Sequence, residues 1–238
     1  INENIELNKS FKIESSDQHH IEKVMRNKNG DQIICVDLKH IQYLCLIENV
    51  QEGTILPIEK LDINNELDVE VTLVYALPKG EFVLQKACEL GVHHIIPLSS
   101  KRCVVKLTKD KFNKKLPRYQ KILKEASEQS GRNRIPSIEE VKTIKELKPY
   151  LKDYNLVAYE ETAKQHEHGE LFHTLQQLKA GDQLLIIVGC EGGFDESEIQ
   201  ELNEMGVKCC SLGNRILRSE TAPLYLMSVI GYSRELIK

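Results

Sequence analysis

The stretch LLIIVGCEGGFDESEIQELNEMGVKCCSLGNRILRSETA, residues 184–222, decides the fold. An apolar run of strand length, Leu184–Val188, ends in three glycines placed around Glu191. A segment of helix length follows, and a second strand-like run, Val207–Leu212, ends at Gly213. In α/β proteins, ligands bind outside the carboxyl ends of parallel strands, where glycine corners of this kind occur. The two corners therefore predict one pocket that is built from two loops.

The first glycine corner differs from the known phosphate-binding loops. No Lys-Ser or Lys-Thr pair follows Gly193, as a Walker loop requires. Glu191 stands where the dinucleotide fingerprint G-x-G-x-x-G has its second glycine, and its carboxylate would repel a diphosphate. The corner therefore favours a ligand that carries a positive charge or ribose hydroxyls. The alternative is a tight turn with an exposed glutamate.

The rest of the chain divides into two patterns. Residues 1–72 contain short apolar runs separated by turn signals, with one short helix predicted over residues 17–26, which indicates a small β-rich domain. In residues 73–238 strands alternate with helices, which indicates an α/β domain with a parallel sheet. The strands of this second domain are predicted at residues 69–77, 92–98, 155–159, 184–188 and 207–212.

Capping and punctuation signals place the helices. Asp195 and Glu198 form a capping-box pattern at a helix start just after the glycine corner. Pro117 suits the first turn of a basic helix that Gly131 ends. The helices are predicted over residues 80–90, 118–130, 143–151 and 170–178, and a last one begins near Ser219. Residues 160–169 are predicted to be a polar, mobile loop.

The composition is typical of a globular protein of the cytoplasm. The chain has 238 residues, of which 41% are hydrophobic and 29% charged. No apolar run reaches the roughly 18 residues of a membrane helix, and no signal peptide opens the sequence. The seven cysteines are odd in number and irregularly spaced, so a disulfide framework is not expected. We therefore expect a cytoplasmic protein that does not insert into a membrane.

The charge is distributed unevenly along the chain. Residues 1–72 hold 7 basic and 14 acidic side chains, a balance of −7, although the whole chain carries only −4. Residues 101–134 hold 12 basic and 3 acidic side chains, a balance of +9. Such a local excess suits a polyanion, because phosphate contacts are made by lysine and arginine. The alternative is a solvated, lysine-rich helix face.

Several classes of catalytic site are disfavoured. The histidines lie outside any Cys/His set with metal spacing, so no metal site is expected. The sequence has no G-x-S-x-G elbow and no cysteine in a nucleophile motif. The notable cations are arginines beside the turns, at positions 132, 134, 215 and 218. The planar fork of arginine suits a phosphate or a flat ring, and surface ion pairs are the alternative.

Three blocks of the sequence resemble a known family and follow one another in that family's order. They are HHI at residues 19–21, with VMR at 24–26 and GD at 30–31; QKACELGV at 85–92, with EASEQSGR at 125–132; and GCEGGF at 189–194, with LGNRILRSETA at 212–222. Together the blocks resemble the 16S ribosomal RNA uridine-N3 methyltransferase family of the SPOUT superfamily. Cys190 replaces a usual proline, and Ser219 replaces a common threonine.

The resemblance implies an N-terminal PUA-like RNA-binding domain and a C-terminal SPOUT domain. That domain would have a parallel sheet, helices on both faces and a trefoil knot whose loops bind S-adenosylmethionine in a bent form. The enzyme would be a homodimer with its site near the dimer interface. The cofactor-binding residues that it implies are Tyr159, Glu160, Gly189, Glu191, Gly192, Gly193, Leu212, Gly213, Ile216 and Leu217.

The function that the resemblance implies is methylation of N3 of a uridine in small-subunit ribosomal RNA, presented in the assembled subunit. Arg218 and Arg132 would stabilise the uracil anion or hold the flanking phosphate, and Glu191 is a candidate base. The RNA-binding residues that we expect are Arg26, Lys101, Arg102, Arg118, Lys121, Arg132 and Arg134. The alternatives are a 2′-O-ribose RNA methyltransferase and a non-catalytic RNA-binding factor of ribosome assembly.

Overall fold

The computed structural model describes residues 1, 3–77, 80–104, 107–161 and 169–237. The contacts within the chain divide it into two units. The first contains Ile1–Glu66 together with Arg132–Arg134, and the second contains Leu67–Gly131 and Ile135–Lys238. The division into functional domains at residues 1–72 and 73–238 remains a prediction.

The first unit is a four-stranded antiparallel sheet, which confirms its predicted β-rich character. Its strands, in the spatial order β1-β4-β3-β2, are β1 (Phe11–Lys12), β2 (Gln32–Val36), β3 (Gln42–Asn49) and β4 (Thr54–Lys60). Buried Cys45, Ile47 and Ile55 form the centre of its core. Strand β4 contains Pro57, which lies opposite Cys45 at an irregularity of the ladder.

The short helix of the first unit begins and ends earlier in the chain than predicted, and its second turn is wider than an α-helical turn. Helix α1 (Ser15–His19) continues into a π-helical turn, His20–Val24. Arg26 then takes a positive φ of 59°, which a helix cannot accommodate. The predicted helix over residues 17–26 is therefore wrong at both of its ends.

The carboxylate of Glu66 is the polar centre of the first unit. It pairs with the guanidinium of Arg132 through two nitrogens, one of them Nε at 3.2 Å from Oε1. The side chains of Glu66 and Arg132 are only 7% and 2% exposed. The backbone N–H of Asn133 donates to the same carboxylate at 2.9 Å. The Asn133 side chain donates to the carbonyl oxygens of His40 and Ile63, each at 2.9 Å. Residues 132–134 thus belong to the first unit through buried polar contacts.

The second unit contains a six-stranded sheet in which every pair of neighbours is parallel, as predicted. Its strands, in the order β10-β8-β9-β5-β6-β7, are β5 (Glu70–Tyr75), β6 (His94–Pro97), β7 (Ser137–Ile138), β8 (Tyr154–Ala158), β9 (Gln183–Val188) and β10 (Lys208–Cys210). Its helices are α2 (Gly80–Glu89), α3 (Lys109–Gln129), a 3₁₀ helix (Ile144–Tyr150), α4 (Glu170–Gln177), α5 (Glu196–Glu204), α6 (Thr221–Gly231) and a π-helical turn (Tyr232–Leu236).

Helices cover both faces of this sheet. Alternate residues of β9 therefore pack into two separate cores, one on each face. Leu184, Ile186 and Val188 join a core with α2, α3, α4 and α6. Leu185 and Ile187 join the opposite core with the 3₁₀ helix and α5. Burial on both faces explains the unbroken apolar run of this strand.

The largest error in the sequence prediction concerns α3. It begins at Lys109, not near Pro117, and the Thr108 side chain caps it by accepting from the N–H of Lys111 at 3.3 Å. Pro117 lies inside the helix, where it removes one backbone hydrogen bond. The buried apolar face extends from Phe112 to Ala126 and holds the helix together across this defect. Gly131, with a φ of 67°, confirms the predicted end.

Smaller differences affect three other segments of the second unit. Residues 143–151 form a 3₁₀ helix that contains Pro149, in place of the predicted α-helix. The predicted strand at 207–212 is shortened to β10, and the last helix begins at Thr221 rather than near Ser219. Most of the predicted loop at 160–169 lies outside the described residues. No described helix has the length and apolar character needed to cross a membrane.

The Glu66 network makes a prediction about stability. We expect Glu66→Ala to lower the free energy of unfolding by about 3–5 kcal/mol, because it leaves the buried charge of Arg132 unpaired. Urea denaturation measures the loss. The control is Glu52→Ala, which removes the exposed pair between Glu52 and Lys12 and should change stability by less than about 1 kcal/mol. Equal losses in the two variants would contradict the structural role of Glu66.

Candidate functional site

The loops predicted to bind the cofactor begin at the carboxyl ends of neighbouring parallel strands. Strands β8, β9 and β10 are neighbours and end on the same side. The backbone N–H of Tyr159 donates to the carbonyl of Cys210 at 3.1 Å, so the loops after β8 and β10 leave the sheet side by side. Tyr75, the last residue of β5, lies opposite Val188 at the end of β9. The loops that follow β8, β9 and β10 therefore all leave the sheet at its carboxyl end.

The glycine corner after β9 is a tight turn against two neighbouring groups. The N–H of Gly193 donates to the carbonyl of Cys190 at 2.9 Å. A Cβ atom at Gly192 would lie 2.9 Å from the backbone oxygen of Arg102, which is closer than real Cβ contacts allow. A Cβ atom at Gly189 would lie 3.1 Å from the ring of Phe194. The corner therefore needs its glycines for close packing, and the carboxylate of Glu191 points from it toward solvent.

The predicted capping box of α5 is confirmed, and it has a second role. The Asp195 side chain accepts from the N–H of Ser197 at 3.1 Å, and Glu198 accepts from the N–H of Asp195 at 3.0 Å. The other oxygen of buried Glu198 accepts from the backbone N–H of Lys101 at 2.8 Å. Glu198 therefore joins the loop after β6 to the glycine corner.

Buried thiols lie beneath this corner. Cys190 is buried beside Ala76 and Cys103. The hydroxyl of Ser100 lies 3.0 Å from the sulfur of Cys103. Burial raises the pKa of the Cys103 thiol to about 11, so this group stays protonated at neutral pH. A protonated, enclosed thiol packs as a small apolar side chain.

The arginine-rich turn after β10 presents both apolar and cationic side chains. Gly213 has a φ of 94°, and its N–H donates to the Ser211 hydroxyl at 3.1 Å. Leu212 and Leu217 pack against the core, whereas Ile216 is 77% exposed. The Arg218 side chain is exposed, as is that of Arg215. The backbone oxygen of Arg218 accepts from the first N–H groups of α6, which sets the end of the turn.

A cleft of about 330 Å³ opens beside this turn. Its lining residues come from α4, from the turn and from α6: Leu171, Phe172, Leu175, Ser211, Leu212, Gly213, Asn214, Tyr225 and Val229. It shares Leu212 and Gly213 with the predicted cofactor residues and includes none of the glycine corner. Tyr159 is partly buried and Glu160 is exposed, and residues 162–168 of the adjoining loop are not among those described.

Most of the predicted RNA-binding side chains are exposed in their own units. Arg26 is exposed in the first unit. Lys101 and Arg102 each approach the Asp195 carboxylate at 3.8 Å. On α3, Arg118 pairs with Glu81 at 3.2 Å, and Lys121 pairs with Glu125 at 3.6 Å. Because these exposed ion pairs are weak, each lysine or arginine can leave its carboxylate and bind a phosphate instead.

The surroundings of Arg132 bear on its predicted role. Its guanidinium is buried and ion-paired with Glu66, so contact with a base or a phosphate would require breaking that pair. Arg134 is partly buried, and its backbone N–H donates to Glu66 at 3.2 Å. The sequence does not indicate this ion pair, because the partner carboxylate lies 66 residues earlier in the chain and spacing carries no signal for such a pair.

Two further side chains of the site were missed by sequence reasoning. Glu198 was recognised only as a capping residue, although it also binds the loop after β6. Tyr75 was read only as part of a strand, although it ends next to the glycine corner. Among the residues that the structure describes, no group of histidine, cysteine, aspartate or glutamate side chains could hold a metal ion.

Comparisons with known proteins agree with this architecture. The family profile of an RNA methyltransferase domain matches residues 65–231, and that of an RNA methyltransferase PUA domain matches residues 13–56. Ribosomal RNA small subunit methyltransferase E of Bacillus subtilis is 42% identical, and the match covers 98% of this chain and 94% of that protein. The protein of the same name from Mesomycoplasma hyopneumoniae is 36% identical, with 87% of each chain covered.

Solved structures show the same likeness. Ribosomal RNA small subunit methyltransferase E of Neisseria gonorrhoeae, bound to S-adenosyl methionine, superimposes with a TM-score of 0.83 at 28% identity. That match covers 96% of this chain and 93% of the other. A putative methyltransferase of Legionella pneumophila, in complex with the cofactor SAM, has a TM-score of 0.83 at 27% identity over 97% and 95% of the two chains. The chain therefore belongs to the RNA methyltransferase family, among the proteins called ribosomal RNA small subunit methyltransferase E.

Proposed function

We propose that this chain methylates N3 of a uridine in 16S ribosomal RNA, within the assembled small subunit, with S-adenosylmethionine as the methyl donor. The observation that carries the proposal is the position of the glycine corner and the arginine-rich turn after β9 and β10, at the same end of the parallel sheet, in a chain of this family. S-adenosylmethionine supplies a methyl group activated by a sulfonium charge. The relatives called ribosomal RNA small subunit methyltransferase E act on small-subunit ribosomal RNA, as their name states.

The residues at this edge suit such a cofactor. The glycine corner lets the backbone approach a ligand closely, and Gly192 already packs without room for a Cβ atom. The carboxylate of Glu191 suits a cationic ligand, whereas it would repel a diphosphate. Leu212, Ile216 and Leu217 offer apolar contacts for a flat adenine ring. Tyr159 and Glu160 adjoin them through the hydrogen bond between Tyr159 and Cys210.

The side chains at the mouth of the site suit proton removal from a uracil ring. Methylation at N3 requires the loss of the N3 proton and stabilisation of the charge that develops on the uracil oxygens. The exposed guanidinium of Arg218 can donate two parallel hydrogen bonds to those oxygens or to the flanking phosphate. Glu191 is the candidate base, because its carboxylate lies exposed at the glycine corner. Arg132 would have to leave its buried pair with Glu66 to reach the uracil or the flanking phosphate.

The assembly and location form part of the same proposal. The last helical segments expose Tyr225, Tyr232 and Leu236, and neighbouring Phe172 is also exposed, which suits a contact with a second copy of the chain. A homodimer would appear as twice the chain mass in sedimentation equilibrium.

A trefoil knot formed by the last helix is supported by the strand order β10-β8-β9, and a structure of the crystalline protein tests it. The expected location is the cytoplasm, which cell fractionation tests.

The function is tested with purified small subunits and labelled cofactor, followed by nucleoside mapping. We expect the label in 3-methyluridine. Arg218→Ala should lower the rate about 100-fold or more while cofactor binding is retained, because it removes donors aimed at developing charge. Arg218→Lys, which keeps the charge but not the fork, should recover only part of the rate.

A label at any other position, or no transfer at all, would contradict the proposal. A methyl group on ribose would indicate the 2′-O-methyltransferase alternative, and no transfer by a chain that binds no cofactor would indicate an assembly factor. Unchanged methylation by Arg218→Ala would remove this arginine from the catalytic site.

The glycine corner makes a second prediction, about cofactor affinity. Gly192→Ala should weaken the binding of S-adenosylmethionine at least about tenfold, because the new methyl group would push the corner away from the backbone of Arg102. Isothermal titration calorimetry measures the affinity. Gly231→Ala is the matched control, since its Cβ atom would meet no atom closer than 3.7 Å. Equal affinities in the two variants would exclude the corner from the cofactor site.

The basic segment makes a third prediction, about salt. If exposed lysines of α3 contact phosphate, the logarithm of RNA affinity should fall linearly with the logarithm of salt concentration. Lys121→Ala should reduce that slope by about one unit, whereas Lys179→Ala, which changes an exposed lysine before the amino end of β9, should leave it unchanged. Filter binding at several salt concentrations provides the measurement. A flat salt response of the unmodified protein would remove α3 from the RNA interface.

A further inference from the structure

Glu198 connects two loops at the carboxyl end of the parallel sheet through one buried carboxylate. The residue is only 3% exposed. One of its oxygens accepts from the N–H of Asp195 at 3.0 Å, which completes the capping box of α5. The other oxygen accepts from the N–H of Lys101 at 2.8 Å, and Lys101 lies 97 positions earlier in the chain. A capping box needs only the first of these bonds, so the second serves the loop after β6.

The segment that Glu198 holds is a tight turn over residues 100–103, here called the cationic turn. The N–H of Cys103 donates to the carbonyl of Ser100 at 3.4 Å, and Lys101 and Arg102 are the two central residues. In a turn of this kind the N–H of the second residue has no acceptor within the turn. Glu198 supplies that acceptor and therefore fixes the turn from outside.

The cationic turn also packs directly against the glycine corner. A Cβ atom at Gly192 would lie 2.9 Å from the backbone oxygen of Arg102 and 3.1 Å from its Cβ atom, so the two backbones are in contact. The hydroxyl of Ser100 lies 3.0 Å from the sulfur of Cys103 and 3.9 Å from that of Cys190. The turn and the corner therefore pack as one unit.

The two central side chains of the cationic turn are exposed cations beside that corner. The ammonium of Lys101 donates to the hydroxyl of Ser197 and lies 3.8 Å from the carboxylate of Asp195. The guanidinium of Arg102 lies 3.8 Å from the same carboxylate. Exposed ion pairs of this kind are weak, so both cations can bind a phosphate instead. A phosphate bound there would lie next to the loop assigned to the methyl donor.

We propose that Glu198 is a positioning residue that holds Lys101 and Arg102 beside the glycine corner, where they bind an RNA phosphate close to the target nucleotide. This inference rests on the proposed function, because that function assigns the corner to the cofactor and RNA to the substrate. In this role Glu198 contacts neither ligand and acts through the backbone of the cationic turn. A turn that is fixed before RNA binds loses less conformational freedom when its cations contact phosphate.

The first test is Glu198→Ala, which removes both hydrogen bonds of the carboxylate. We expect KM for small subunits to rise about tenfold, because the cations lose their fixed position. The kcat and the affinity for S-adenosylmethionine should each change by less than about threefold, because the cofactor site is kept. Steady-state kinetics with labelled cofactor and isothermal titration calorimetry provide the measurements.

Asp195→Ala is the matched control for the loss of helix capping. It removes the other side-chain cap of α5 and leaves the bond between Glu198 and Lys101 in place. It also removes the carboxylate that competes with phosphate for the two cations, so KM should stay the same or fall. An equal rise of KM in Asp195→Ala and Glu198→Ala would overturn the inference, because capping alone would then explain it.

The salt dependence of RNA binding gives an independent measurement. Lys101→Ala/Arg102→Ala should reduce the slope of the logarithm of affinity against the logarithm of salt concentration by about two units. Adding Glu198→Ala to that variant should weaken RNA binding no further, because the side chains that Glu198 positions are gone. Additive losses would overturn the inference. An unchanged slope in Lys101→Ala/Arg102→Ala would also overturn it, whether or not Glu198→Ala folds.

The outcomes separate this inference from the function on which it rests. If the unmodified protein transfers no methyl group to small subunits, the proposed function and the inference both fail. If the unmodified protein is active and Glu198→Ala keeps its KM, the inference alone fails. The inference also fails if Glu198→Ala loses affinity for the cofactor and for RNA by the same factor, since that result describes a general disturbance of the corner. A higher KM with unchanged cofactor affinity supports it.

Discussion

The structure of the second unit depends on strand β9, which is paired on both sides and buried on both faces. Its neighbours β8 and β5 are parallel to it, and every residue from Leu184 to Val188 is enclosed between two layers of helices. A sheet covered in this way has no free face for a ligand, so only the ends of the strands remain accessible. The glycine corner at the end of β9 and the turn after β10 occupy that position.

The parts of the fold that the sequence predicts are those with local signals. The apolar run Leu184–Val188 and the capping box of Asp195 and Glu198 each depend on residues within one strand or one helical turn, and both are confirmed. Pro117 is an exception, since it predicts a helix start but lies inside α3, where burial of neighbouring apolar residues outweighs its unfavourable local effect.

The parts of the site that the sequence could not predict depend on distant partners. The carboxylate of Glu198 meets the backbone of Lys101 across 97 positions, and Gly192 packs against Arg102 across a similar separation. The sequence around Arg132 does not indicate its buried pair with Glu66, which lies 66 positions earlier. The glycine corner itself was recognisable, since its spacing excludes the phosphate-binding loops without any knowledge of its neighbours.

The contribution of residues 132–134 to the first unit has a consequence for how the protein is made on the ribosome. Glu66 and the carbonyl oxygens of His40 and Ile63 accept hydrogen bonds from residues 132–134. During translation the first 66 residues leave the exit tunnel long before those partners do. The first unit therefore cannot reach its final buried state in order of synthesis. It stays incomplete until much of the following unit, including all of α3, has also emerged.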